Sequence, residues 1–175
     1  MNSTLFLSLV LAHIIGDFYL QTDKCCKQKE TRKFKSWFLY VHAIIIGLLS
    51  WIIIPLYNFG LWALLIAVSH LVIDAIKIHC QKGLWSFVID QLLHLGILAA
   101  ISSICETTKE LPLQMIDSSS SFSTPLLILA VLLCMKPANI LIKLILEKYQ
   151  VGESESCDNI KNAGALIGNL ERILT

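Results

Sequence analysis

Residues 5–20, 37–57, 61–76, 85–105 and 126–146 of this chain are apolar stretches, each at or near the roughly 20 residues that a helix needs to cross the hydrocarbon of a bilayer. The first and third are short and carry polar residues at one end. Only 15% of the chain is charged while 55% is apolar, whereas a water-soluble domain carries about 25% charged residues. The polar surface of a soluble globule is missing. The expected fold is therefore all-α: a polytopic transmembrane helical bundle of five spanning helices, followed by a short or truncated sixth. Pro55 closes the second span, and Asn58 and Gly60 make a tight turn into the third. A nucleic-acid-binding module is excluded, because 14 Lys and Arg against 13 Asp and Glu leave a net charge of +1 and no basic field. A disordered chain is excluded by the apolar content.

The basic residues sort to one side. Lys24, Lys27, Lys29, Arg32, Lys33 and Lys35 lie between the first two stretches, Lys77 and Lys82 between the third and fourth, and Lys143, Lys148 and Lys161 toward or beyond the end of the fifth. The opposite side carries only Lys109, among Glu106, Glu110 and Asp117, beside the serine run 118–121. Loops rich in Lys and Arg face the cytoplasm, which sets the N-terminus outside. The N-terminus has no basic region or cleavage signal and reads as a retained first helix. The domain plan is a transmembrane unit over 1–149, a polar cytoplasmic linker over 150–162 and a C-terminal helix over 163–175. In that last helix Gly164 and Gly168 have the spacing of a close-packing face. The six cysteines show no CxxC spacing and read as small hydrophobes rather than bridges or ligands.

Polar residues interrupt the apolar stretches in a regular way. His13 and Asp17, His70 and Asp74, and Asp90 and His94 are three His/Asp pairs at i,i+4, which puts both members on one helix face. Composition alone yields about 0.3 such pairs at that spacing. Counting about 1.5 Å per residue from the basic loops, the aspartates lie roughly 5 to 9 Å into their helices, with the paired histidines one turn deeper. His42 falls in the same layer. An ionisable group at the centre of a membrane helix costs about 2.5–3.5 kcal/mol and tends to mark function or a paired site.

Three carboxylates and four imidazoles at one level suit a divalent metal ion such as Zn, Mn, Fe or Mg. They exceed one tetrahedral shell, so two ions, or one ion with supporting partners, are expected. The candidate ligands are His13, Asp17, His70, Asp74, Asp90 and His94; the candidate catalytic residues are His42, as ligand or general acid/base, and Asp74. The leading function is a metal-dependent hydrolase acting on a phosphoester or lipid-linked substrate at the cytoplasmic face. The alternative is a non-enzymatic metal or proton transporter or membrane effector using the same residues. A third reading treats the pairs as interhelical hydrogen bonds. Gln21 and Gln91 flank the pairs, Lys77 is read as snorkelling to the interface, Lys136 is a weaker candidate in the fifth span, and His79 is read as solvated. The tryptophans sit near span ends as interface anchors. Expected partners are the lipid bilayer and a small-molecule substrate; self-association as a homo-oligomer stays open.

The run 12–22 around His13, Gly16 and Asp17, then His42, then His70 to Lys77, Asp90 to His94, and Gly164 through Glu171 and Arg172, resembles the bacterial membrane family known as domain of unknown function 3307. The resemblance covers nearly the whole chain and implies no established activity. It implies a multi-pass protein of the bacterial inner membrane. More distantly, the His-rich helices are similar to membrane-bound metal-dependent hydrolases.

Overall fold

The computed structural model describes residues 3–54, 56–80, 83–108 and 123–148. The linker and C-terminal helix expected over 150–175, and the serine-rich loop, lie outside the described residues. The fold is an all-α bundle. Its elements are α1 (Ser3–Ile14), continued by a π-helical segment (Ile15–Leu20), α2 (Asp23–Arg32), α3 (Trp37–Ile53), α4 (Gly60–Lys77), α5 (Leu84–Thr108) and α6 (Ser123–Lys148). Short 3-10 turns at Lys33–Lys35 and Tyr57–Phe59 lead into α3 and α4.

Four of the five expected spans are long and apolar enough to cross a membrane: Ser3–Leu20, Gly60–Lys77, Leu84–Cys105 and Leu126–Leu146. The second is shorter than expected, because α3 ends at Ile53 and spans 17 residues. Ile54 has already left the helix at φ −114°, ψ 83°, as a residue preceding a proline does. Pro137, by contrast, lies inside α6. The solvation is inverted relative to a soluble protein. Ile52, Leu61 and Leu127 are two-thirds exposed, while His13, His70, His94 and Asp90 are buried to 2–3% exposure. Helices that turn apolar faces outward and polar side chains inward are compatible with a lipid bilayer.

Two halves of the bundle differ in character. At the end away from the basic segments, Leu5, Leu9, Ile54, Phe59 and Cys105 form a core of 0–1% exposure. The polar cluster lies in the other half. Ser50 donates its hydroxyl hydrogen to the Ile46 carbonyl at 2.9 Å, which satisfies it within its own helix.

The α3–α4 contact sets the register of the site. A Cβ added at Gly47 would stand 2.8 Å from Ala67 Cβ and 3.0 Å from the Ala63 carbonyl oxygen, so the helices approach as closely as small residues allow. Continued antiparallel from that crossing, the same register brings His42 opposite His70. Gly16 plays a similar part, since a Cβ there would collide with Ile46 Cδ1. Gly47→Leu is expected to lower the stability of the bundle by about 1–3 kcal/mol, read as earlier unfolding in a mixed-micelle titration. Gly96→Ala has no atom within 4 Å of its new Cβ and should unfold no earlier than wild type.

Candidate metal centre

α1 with its π-helical segment, α3, α4 and α5 each direct polar side chains to one point. The π-helical segment is marked by the Gln21 N–H donating to the Gly16 carbonyl at 3.2 Å, five residues back. Such wide turns occur often at functional sites. This one carries Asp17, whose Oδ1 lies 3.9 Å from His13 Nδ1. All seven residues expected at the site, His13, Asp17, His42, His70, Asp74, Asp90 and His94, fall in this cluster.

The tightest part is a triangle. His42 Nε2 is 3.0 Å from Asp17 Oδ1 and 3.0 Å from His70 Nε2, and His70 Nε2 is 3.3 Å from Asp17 Oδ1. Two imidazole nitrogens cannot both accept across 3.0 Å; a proton or another cation must lie between them. In a tetrahedral shell with bonds of about 2.0–2.1 Å, donor atoms stand about 3.3 Å apart. The triangle has nearly those edges.

A second group shares no residue with the first. His94 Nε2 lies 3.6 Å from Asp90 Oδ1 and 4.0 Å from Asp74 Oδ1, and the three ligand atoms of Asp74, Asp90 and His94 fall within 4.8 Å of one another. His94 Nε2 and Asp90 Oδ1 are buried with no hydrogen-bond partner, as is His13 Nε2. Buried polar atoms left unpaired are costly, and here three of them face a polar cluster. His13 lies beside both groups, its ring centroid 5.5 Å from that of His70 and 4.8 Å from that of His94. Asp74 sits between them: its Oδ2 is 4.0 Å from both His42 Nε2 and His70 Nε2, while its Oδ1 faces His94.

Two lysines complete the electrostatics. Lys77 is not free at the interface as expected. Its Nζ donates to Asp90 Oδ2 at 2.5 Å with its side chain 40% exposed, because α4 and α5 pack antiparallel and bring it over that carboxylate. Gln91 donates to the same oxygen at 3.1 Å. Lys29 is a residue that sequence reasoning passed over. The expected basic loop contains a helix, α2, capped by Thr22, whose Oγ1 accepts from the Cys25 N–H at 3.4 Å. Lys29 is buried on it and donates to Asp74 Oδ2 at 2.6 Å. The helix was legible in Thr22-Asp23 followed by a basic last turn; which lysine turns inward was not. Lys136 is brought elsewhere, 5.2 Å over the Tyr19 ring, and Tyr19 donates its hydroxyl hydrogen to the Leu132 carbonyl at 2.9 Å.

With imidazoles neutral, three carboxylates and two ammonium groups leave the cluster at −1. It is thus suited to take up further positive charge. Lys29→Met leaves Asp74 buried without its ammonium partner, and should destabilise the chelator-treated protein by on the order of 3 kcal/mol. In an Asp74→Asn background the same change should cost much less, and a double-mutant cycle of unfolding free energies measures the difference.

The family described as "Protein of unknown function (DUF3307)" matches the chain over residues 5–122, which include every residue of the cluster. No curated protein matches the chain. No solved structure matches it.

Proposed function

The chain belongs to the DUF3307 family of proteins of unknown function, and from that premise and the geometry of its polar centre we propose that it is a membrane-embedded, metal-dependent hydrolase of a phosphoester. The observation that carries the reading is a set of three-residue groups, Asp17/His42/His70, Asp74/Asp90/His94 and His13/His70/His94, the last sharing one residue with each of the others, with the Asp74 carboxylate turned one oxygen to each of the first two. Mixed carboxylate and imidazole donors suit Zn, Mn or Fe. The unpartnered His94 Nε2 and Asp90 Oδ1 fit such an ion, since coordination would satisfy both.

A bound divalent ion supplies Lewis acidity and makes water a nucleophile near neutral pH. The chain's own residues do the rest. One divalent ion takes the cluster from −1 to +1 and two take it to +3, so the centre attracts an anion, and a phosphate ester is the anion whose hydrolysis this charge assists. The water oxygen bonds to phosphorus as the ester P–O bond breaks and its electron pair leaves with the alkoxide. Asp74 takes the proton from water, and that proton is returned to the leaving oxygen directly or through His42. The excess of Lys and Arg in the segments at this end supports a cytoplasmic orientation for it in this reading, within a bacterial inner membrane.

The chain of close His42, His70 and Asp17 atoms also favours a second reading, proton or ion transfer. Against it stands the apolar core of Leu5, Leu9, Ile54 and Phe59 in the other half of the bundle, where the buried polar side chains among the described residues, Thr4, Ser50 and Ser102, are hydroxyls rather than charged groups.

Detergent-purified protein should hold one or two metal ions per chain by elemental mass spectrometry. Asp74→Ala and His94→Ala should each lose at least one ion and lower turnover of a generic phosphomonoester at least a hundredfold. A metal-free protein under several loading conditions would overturn the reading. Sealed vesicles that leak protons or metal through wild type but not through Asp17→Asn would favour transport instead.

A further inference from the structure

A groove opens on the outside of the bundle between the end of the π-helical segment, α2 and α3. Its walls are Leu20, Phe38, Val41 and Ile45, Gln21 and Cys25 stand at its polar edge, and His42 closes its inner end. Phe38, Val41, His42 and Ile45 follow i, i+3, i+4, i+7 along α3 and so form one stripe of that helix. The stripe is apolar except at His42, where it meets the cluster: His42 Nε2 is 3.0 Å from Asp17 Oδ1 and 4.0 Å from Asp74 Oδ2.

Three features identify what fills this groove. It lies on the lipid-facing side of a span, with Leu20 at 51% and Phe38 at 37% exposure, so in a bilayer its walls meet hydrocarbon. Its Phe38 end lies at headgroup level, because Trp37, 75% exposed, opens α3 as interface tryptophans do. Positive charge surrounds that level, since Arg32, Lys33 and Lys35 are exposed in the turn leading into α3. Cys25 and Lys29 are one helical turn apart on α2, so the helix that edges the groove also carries the buried ammonium on Asp74.

We propose that this groove is a lateral binding site for a membrane phospholipid, its phosphate at the level of Phe38 and His42 and an acyl tail running past Ile45 toward the bilayer centre. The substrate of the centre then arrives sideways from the leaflet rather than from bulk water. The proposal rests on the hydrolase reading for the fate of the bound lipid, and not for its binding.

The test uses the full chain in detergent, treated with chelator, and titrated under native mass spectrometry with phosphatidylglycerol, diacylglycerol or inorganic phosphate. One phosphatidylglycerol should bind at least tenfold more tightly than diacylglycerol, and millimolar inorganic phosphate should not displace it. Val41→Trp, which fills the groove, should weaken that binding at least tenfold, while Leu61→Trp on the exposed face of α4 leaves it unchanged. Equal binding of diacylglycerol, ready displacement by free phosphate, or undiminished binding by Val41→Trp would each overturn the site. Should Val41→Trp not fold, wild type is irradiated with phosphatidylglycerol bearing a diazirine on its acyl chain. Adducts concentrated on residues 38–45 support the groove, and adducts spread evenly over the outward faces overturn it. Metal content measured on separate untreated samples separates the two readings: lipid binding that persists in a protein unable to hold any metal keeps the groove and removes the hydrolase.

Discussion

A carboxylate sealed inside an apolar bundle is stable only when opposite charge or hydrogen-bond donors reach it, and this chain buries three. Asp90 meets Lys77 and Gln91, Asp17 meets two imidazoles, and Asp74 meets Lys29. Much of the architecture at that end follows from this requirement. The segment after the first span does not run off as a loop; it folds as α2 against the bundle, where Lys29 is its one described buried side chain. Even so, the pairing is incomplete. The cluster keeps an excess of negative charge and unpartnered ring nitrogens, and that residue of unmet demand separates a candidate site from a merely satisfied core.

Backbone geometry converts the pattern into a centre. The close approach at Gly47 and the accommodation of Gly16 against Ile46 let α1, α3 and α4 come near enough for side chains of moderate length to touch. The π-helical turn widens the end of the first span where Asp17 is needed. Opposite these features lies a core of large apolar side chains. Among the described residues the bundle is thus polar and basic at one end and mainly apolar inside at the other.

Much of this was legible in the sequence because lipid is a demanding solvent. Apolar runs of spanning length have few alternatives, and an ionisable residue within one must find a reason to be there. His13 with Asp17, His70 with Asp74, and Asp90 with His94 announced a shared face by spacing alone, and His42 joined them by depth. Lys77 was misread because snorkelling and pairing look identical in one dimension. Lys29 was missed because six basic residues between two spans read as an orientation signal, and nothing in the order of residues tells which of them turns inward.

The sequence by itself determined where five apolar helices lie, their likeness to one family, and the set of residues that share a polar layer, because helical periodicity and the cost of charge in hydrocarbon act locally along the chain. Only the tertiary structure decided which of those residues meet. The antiparallel register of α3 on α4, the rotation introduced by the π-helical turn and the return of α2 are long-range packing outcomes. They bring Asp17, His42 and His70 together in one group and Asp74, Asp90 and His94 in another, with His13 beside both, because contact depends on which faces close against each other and not on spacing within any one helix.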